Sequence, residues 1–245
     1  MKSVVIIPAR YGSSRYKGKP LAKILGREMI LRVADICSKA VGIKNTYIAT
    51  DHTKIKNVAK NFGYNVIMTS KKCLTGTDRV AEAAKKISSN IYINVQGDEP
   101  TIDPSDIKKI ILAKQKYPKY VICGYDQLNR FENPQNKNLP KLVVNEKNEL
   151  IYISRSMIPG EKKKTNKKFF KQVCIYGFNK DQLNKFYERK KKSRLEKIED
   201  IEILRYFELN IKIKMVKLDS NSVAVDEVKD IAKAEKLLIK KKIIF

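Results

Sequence analysis

Short β-branched apolar runs alternate with stretches of helical spacing through the first hundred residues, and this alternation most constrains the fold. Residues 3–8 (SVVIIP), 45–50 (NTYIAT), 64–69 (YNVIMT) and 90–95 (NIYINV) have the length and composition of buried strands. Between them, 29–40, 53–62 and 77–88 carry apolar residues at helical spacing; Val80, Ala83, Ala84 and Ile87 make a narrow core stripe. Strand-helix alternation of this kind predicts an α/β domain whose mostly parallel sheet is covered on both faces. Ligands on such sheets bind in the loops that leave the carboxyl ends of the strands.

The second half reads less regularly. Residues 119–125, 140–145, 149–154 and 169–178 are predicted strands in quick succession, with antiparallel members among them. Residues 197–209 read as a helix, 211–218 as a strand and 227–242 as a terminal helix, while 126–138 and 160–168 read as exposed loops. No internal repeat and no long linker divides the chain, so one domain spans 1–245. Its core is expected at about 1–118 and 210–245, with a β-rich portion at 119–209.

Composition narrows the functional classes. The 245 residues carry 52 Lys+Arg against 26 Asp+Glu, a formal charge of +26. Such a balance suits a nucleic-acid binder. Only ten of the basic residues are Arg, however, and the excess is spread along the chain: +11 over residues 1–100 and +15 over 101–245. The lysine runs 162–164, 190–192 and 240–242 read as solvated surface. No apolar run is long enough for a membrane span, and the first residues run straight into a core strand, which argues against a secretory leader. Cys37, Cys73, Cys123 and Cys174 lie far apart, without a CxxC pair or a Cys/His cluster. A cytoplasmic protein without membrane insertion is the expectation.

Five segments carry chemistry. PARYGSSRYKGKPL (8–21) follows the first strand, and its small residues let backbone N–H groups approach phosphates while Arg10, Arg15 and Lys19 supply charge. It is not a Walker A loop: five residues, not four, separate Gly12 from Gly18, and Pro20 stands where a Ser/Thr would hold Mg²⁺. NVQGDEP (94–100) places Asp98 and Glu99 at a strand end, where hard oxygen ligands suit Mg²⁺; the plain alternative is an acidic turn. SVAVDE (222–227) ends a predicted short strand at Asp226, which serves equally as a helix N-cap. If the two carboxylates converge, they form a Mg²⁺ site without His or Cys. LTGTDRV (74–80) sets Thr75, Gly76 and Thr77 ahead of a helix, with Thr77 as its cap or as a partner for a base or ribose. ISRSMIP (153–159) offers Arg155 as a carboxylate clamp or as an ordinary exposed arginine.

Taken in order, PARYGSSRYKGKPL, YIATDH, TGTDR, NVQGDEP, ISRSMIP, CIYGF and IEDIEILR resemble the 3-deoxy-D-manno-octulosonate (Kdo) cytidylyltransferases, the CMP-Kdo synthetases, over nearly the whole chain. The resemblance implies a Rossmann-like nucleotidyltransferase fold, a homodimer with the β-rich portion on the dimer and sugar side, and CTP, Mg²⁺ and an acidic sugar as the molecules bound. It implies transfer of CMP to the anomeric hydroxyl of Kdo for lipopolysaccharide biosynthesis. Pro8, Ala9, Arg10, Gly12, Ser13, Ser14, Arg15 and Lys19 would then hold CTP, with Thr75, Gly76, Thr77, Arg79 and Gln96 completing the nucleotide site. Asp98 and Asp226 would bind Mg²⁺ and, with Lys19, act in catalysis. Gln96, Arg155, Gln172, Tyr176 and Glu202 would face the sugar.

Three residues depart from the family pattern. Gln172 stands where a His is common, Cys174 replaces a Gly, and Ile203 replaces an amide. All three fall in the implied sugar pocket, so another 2-keto sugar acid, 8-amino-Kdo or a nonulosonate, is the alternative substrate. A non-catalytic nucleic-acid binder is the alternative of a different class.

Overall fold

A computed structural model describes the chain except residues 13–15, 161, 163–167, 220–221 and 242–245. Among the described residues there are eleven strands: β1 (Ser3–Ala9), β2 (Lys23–Ile24), β3 (Arg27–Glu28), β4 (Thr46–Thr50), β5 (Asn65–Met68), β6 (Ile91–Val95), β7 (Val121–Gln127), β8 (Lys141–Val144), β9 (Leu150–Ser154), β10 (Phe170–Phe178) and β11 (Ile213–Lys217). The helices are α1 (Met29–Val41), α2 (Thr53–Asn61), α3 (Gly76–Ala84), α4 (Pro104–Lys116), α5 (Lys180–Glu188), α6 (Arg194–Glu199), α7 (Leu204–Glu208) and α8 (Val228–Lys240).

The central sheet has the order β11-β7-β10-β6-β1-β4-β5. β6, β1, β4 and β5 pair in parallel, as do β7 and β11, and β10 runs antiparallel to both its neighbours. The expected mostly parallel α/β sheet is what forms. A β8–β9 ribbon joins it through β10, and the separate β2–β3 pair lies outside it. Strands of the expected β-rich portion, β7 and β10, therefore lie in the middle of the sheet.

Both sheet faces are covered, which is why the strands read as continuous apolar runs. One face packs Val4, Ile6 and Tyr92 against α3, α5 and α7; the other packs Val5, Ile7 and Ile93 against α1, α2 and α4. The α3 stripe is as expected, with Val80, Ala83 and Ala84 fully buried and Ile87 nearly so. Burying Val80 alone stabilises the fold by about 1.5–3 kcal/mol. A third small cluster seats Ala234 and Leu238 of α8, with Val225, against Ile24 and Met29.

Three local expectations are corrected, and two helices are added where none was named. Residues 197–209 do not form one helix: α6 ends at Asp200, which is left-handed (φ 49°), and a non-helical turn precedes α7. Ile201 and Ile203 bury from that turn while Ile198 is 70% exposed, an alternation no single helix would give. Thr75, not Thr77, caps α3; its hydroxyl accepts from the Asp78 N–H and the Asp78 carboxylate accepts in return from the Thr75 N–H. Residues 222–226 form no strand, and Glu227 rather than Asp226 is the residue before α8. Finally, α4 and α5 add two helices. Asp103 and Asn179 cap them through bonds from Ser105 and Gln182 N–H groups.

Candidate active site

The loops leaving β1 and β6, the N-terminal turn of α3, the 138–140 loop, the end of β9, β10 and the turn between α6 and α7 surround a cleft of about 400 Å³. Its floor is set by a close backbone approach. A Cβ on Gly97 would stand 2.8 Å from the Pro8 carbonyl oxygen, so only glycine lets the β1 and β6 loops lie side by side here.

At one end, Lys19 Nζ donates to Asp98 Oδ2 (2.6 Å) and to the Val225 carbonyl (3.0 Å), and lies 3.7 Å from Asp226 Oδ1. The two acidic residues are 128 positions apart. They meet because Val225 N–H donates to Asp98 O (2.9 Å) while the Val225 side chain is held in the α8 cluster. Glu99 lines the same wall, is 4% exposed, and has a buried Oε2 without a hydrogen-bond partner. Burial first, and the Asp98 charge second, push its pKa up to about 8.

This cluster passes a simple test for a divalent cation. Two carboxylates, Asp98 and Asp226, lie against one ammonium, and beside them the buried Glu99 Oε2 has no donor, so the group is short of positive charge. Among the described residues no three ligating side chains converge into a closed site. Asp98 and Asp226 would thus act as two open carboxylate ligands, with phosphate oxygens and water filling the remaining positions. Mg²⁺ beside a nucleotide takes that form.

On the opposite wall, Glu202 is clasped by two donors: Gln96 Nε2 to Oε1 (2.7 Å) and Thr77 N–H to Oε2 (2.9 Å). Burial raises its pKa, and the Thr77 N–H opposes that rise. Gly76 is pressed against Gln96, since a Cβ there would meet both terminal amide atoms at 2.6 Å. Gln172 Nε2 donates to Tyr176 Oη (3.2 Å) and Cys123 Sγ (3.7 Å), and burial lifts the Tyr176 and Cys174 pKa values well above their ordinary range. Arg155 stitches the ribbon to the α6 end by donating Nε to Glu199 O (2.6 Å), Nη1 to Lys137 O (2.9 Å) and Nη2 to Asp200 O (2.9 Å). Each Nη atom keeps a second N–H.

Of the residues singled out in the sequence, Pro8, Ala9, Arg10, Lys19, Thr75, Gly76, Arg79, Gln96, Asp98, Arg155, Gln172, Tyr176, Glu202 and Asp226 are brought together on this one cleft. Thr77 does not: its side chain is buried behind the wall, accepting from Asn94 Nδ2 (3.3 Å). Gly12 is exposed on the first loop and does not line the cleft, and Ser13, Ser14 and Arg15 lie outside the described residues. Arg79 reaches the cleft while donating Nη2 to Asp51 (2.9 Å) and Nη1 to Thr69 (2.6 Å). Lys192 and Asp200, paired at 2.7 Å, and the 138–140 loop also line it, and sequence reasoning missed them. Lys192 sits in a run read as solvated surface. The loop is carried inward by buried Lys141, which donates to Asn136 O and Arg155 O.

Comparison with known proteins agrees with this layout. Residues 4–213 match the cytidylyltransferase family model. The chain is 38% identical over 244 residues, 97% of its length and 99% of the relative's, to the 8-amino-3,8-dideoxy-manno-octulosonate cytidylyltransferase of Shewanella sp. (strain W3-18-1). Identity to the protein of the same name from Shewanella oneidensis is 35% over 244 residues, with the same coverage. Among solved structures, CMP:2-keto-3-deoxy-manno-octonic acid synthetase complexed with CTP superposes with TM-score 0.90 at 32% identity, covering 98% of this chain and all of that one. The inositol-1-phosphate CTP transferase from T. maritima shares the fold, with TM-score 0.71 at 17% identity over 99% of this chain and 96% of that one. With its Rossmann-like nucleotidyltransferase fold and its charged loops gathered on one cleft, this chain belongs to the cytidylyltransferase family and is a nucleotidyltransferase.

Proposed function

We propose that the protein transfers CMP from CTP to the anomeric hydroxyl of 8-amino-3,8-dideoxy-manno-octulosonate, releasing pyrophosphate. The sequence alone put Kdo itself first; relatives covering 97% of the chain carry the 8-amino name and favour the amino sugar. The observation that carries this choice is the commitment of Gln172. Both hydrogens of its amide nitrogen are used by Tyr176 Oη and Cys123 Sγ, so what Gln172 has left for the cleft is an acceptor oxygen. An acceptor that never becomes cationic suits an ammonium-bearing sugar better than the His it replaces, which gains charge near neutral pH.

In the reaction, the sugar C2 hydroxyl attacks the α-phosphorus in line; a C–O–P bond forms as the Pα–O bond to pyrophosphate breaks. The protein contributes position and charge. Lys19, anchored on Asp98 and the Val225 carbonyl, offsets negative charge on the phosphates. The remaining N–H groups of Arg155, whose Nη2 lies 4.0 Å from Asp200 Oδ2, meet the sugar carboxylate. Gln96 and Glu202 orient its hydroxyls, and the Thr75–Gly76 turn faces the nucleotide. Mg²⁺ held by Asp98 and Asp226 would polarise the α-phosphate and ease ionisation of the attacking hydroxyl.

Pyrophosphate release from CTP with Mg²⁺, measured against a panel of Kdo, 8-amino-Kdo and a nonulosonate, tests the proposal. The expected outcome is a CMP-sugar product and a kcat/KM for 8-amino-Kdo at least about tenfold above that for Kdo. Equal or better use of Kdo refutes the choice of sugar, and no turnover with any acid refutes the reaction.

A further inference from the structure

Outside the cleft, behind the wall that carries Glu202, lies a set of buried charges that none of the roles above uses. Arg205 is fully buried, and all five of its N–H donors are spent. Nε and Nη2 donate to the two oxygens of Glu196 (2.7 and 2.6 Å), and Nη1 and Nη2 to the two oxygens of Asp78 (2.7 and 3.2 Å). The last, from Nη1, goes to the Phe186 carbonyl (3.3 Å). The guanidinium also lies 3.7 Å over the Phe186 ring. Glu196 is fully buried and Asp78 is 5% exposed.

Asp78 is the residue that shapes the turn facing the nucleotide. Its Oδ2 accepts from Thr75 N–H (2.9 Å) and Thr75 Oγ1 (2.8 Å), and Thr75 and Gly76 line the cleft. Three residues before Arg205, Glu202 takes another N–H of the same turn, that of Thr77, while its other oxygen holds Gln96. One short segment, 202–205, thus grips the first turn of α3 twice: once by a carboxylate that lines the cleft, once by a guanidinium that does not.

We propose that Arg205 is a positioning residue, which through Asp78 fixes the nucleotide-facing turn of α3 against the sugar-facing Glu202. The inference rests on the reading of the cleft given under Proposed function. Two physical points support it. A planar fork held by two carboxylates fixes orientation as well as distance, which a lysine ammonium cannot reproduce. Helix N-terminal N–H groups, moreover, are useful to a bound anion or base only if their direction is held. The consequence is that the walls for CTP and for the sugar acid move as one body, and a change at Arg205 is felt by both substrates although it touches neither.

Two variants test this, each read by melting temperature, by CTP affinity from calorimetry without sugar, and by KM for both substrates. Arg205→Lys keeps the charge and loses the fork. The triple variant Arg205→Met/Asp78→Asn/Glu196→Gln removes all three charges together, a replacement that buried ion sets often tolerate without loss of stability. Its Asp78→Asn change leaves an amide oxygen that can still accept from Thr75. The expected result is a CTP dissociation constant raised at least tenfold in both, KM raised for both substrates with kcat less affected, and a triple variant whose melting temperature returns to near the wild-type value without restoring CTP affinity. Wild-type CTP affinity in either folded variant, or its recovery together with stability in the triple, overturns the positioning role. Wild-type protein that fails to bind CTP overturns the functional reading instead. Wild-type protein that binds CTP but turns over no tested sugar acid refutes the reaction proposed above and leaves the calorimetric comparison to decide on Arg205.

Discussion

Adding a single methyl group at Gly76 should cost catalysis more than stability. The built Cβ lies 2.6 Å from Gln96 Nε2 and from Gln96 Oε1, whereas ordinary contact begins near 3.4 Å. Gln96 must therefore retreat by about 0.8 Å, which takes its 2.7 Å bond to Glu202 to the limit of a hydrogen bond or past it. A hydrogen bond to a charged group contributes about 1.5–3 kcal/mol, so kcat/KM for the sugar should fall by about 10- to 150-fold. The fold loses the same bond and gains a helix former worth at most about 1 kcal/mol at the first position of α3, a net cost of about 0.5–2 kcal/mol, so the melting temperature should fall by no more than about 8 °C. Steady-state kinetics with saturating CTP and varied sugar, together with a thermal melt, make the measurement. The decisive comparison is Gly76→Ala in a Gln96→Ala background, where the methyl has nothing left to displace and should cost little more. A full additional loss in that background would show that the methyl acts on something other than Gln96, and the reasoning would fall.

Three other outcomes are expected. Asp98→Asn should lower kcat by about 100-fold or more at unchanged melting temperature, since it removes a carboxylate of the proposed Mg²⁺ site and the anchor of Lys19; near-normal turnover at ordinary Mg²⁺ would remove Asp98 from that role. Gln172→His should cut the preference for 8-amino-Kdo over Kdo, by about tenfold at pH 6 and less at pH 8, because the imidazole is cationic at the lower pH; a ratio that does not change with pH speaks against the acceptor reading. Lys114 is buried with its ammonium on Pro118 O, Tyr120 O and Gln182 Oε1, and burial lowers its pKa from 10.5 to about 7. Between pH 7 and 10.5 the folded state binds fewer protons than the unfolded one, so this residue's contribution improves as pH rises through that window and is lost as pH falls to 7. The wild-type melting temperature relative to Lys114→Met should accordingly climb from pH 7 to pH 9.5, and a flat difference would contradict the shift.

Much of the fold is legible in the chain because its strands are buried on both faces. β1, β4, β5 and β6 read as β-branched runs within a residue or two of their observed ends. The site loops are legible for a related reason: residues at the carboxyl ends of those strands have no packing duty to explain Arg10, Asp98 or Glu99. The α6–α7 segment misled because Ile198, Ile201 and Leu204 match helical spacing, whereas the left-handed Asp200 and the Arg155 bonds to the carbonyls of Glu199 and Asp200 break it. A periodicity count has no access to a guanidinium 44 residues away.

Local sequence, then, determined the order of strands and helices, the phosphate-type loop after β1, and two acidic turns, since each follows from propensity and polarity within a few neighbouring residues. Only the tertiary structure decided that Asp98 and Asp226 converge, because that depends on a backbone bond from Val225 and on the packing of α8. The same is true of the inward 138–140 loop, of Lys192, and of the Arg205–Asp78–Glu196 set behind the wall. These are pairings between charges far apart in the chain, and their strength comes from burial, which no stretch of sequence carries by itself.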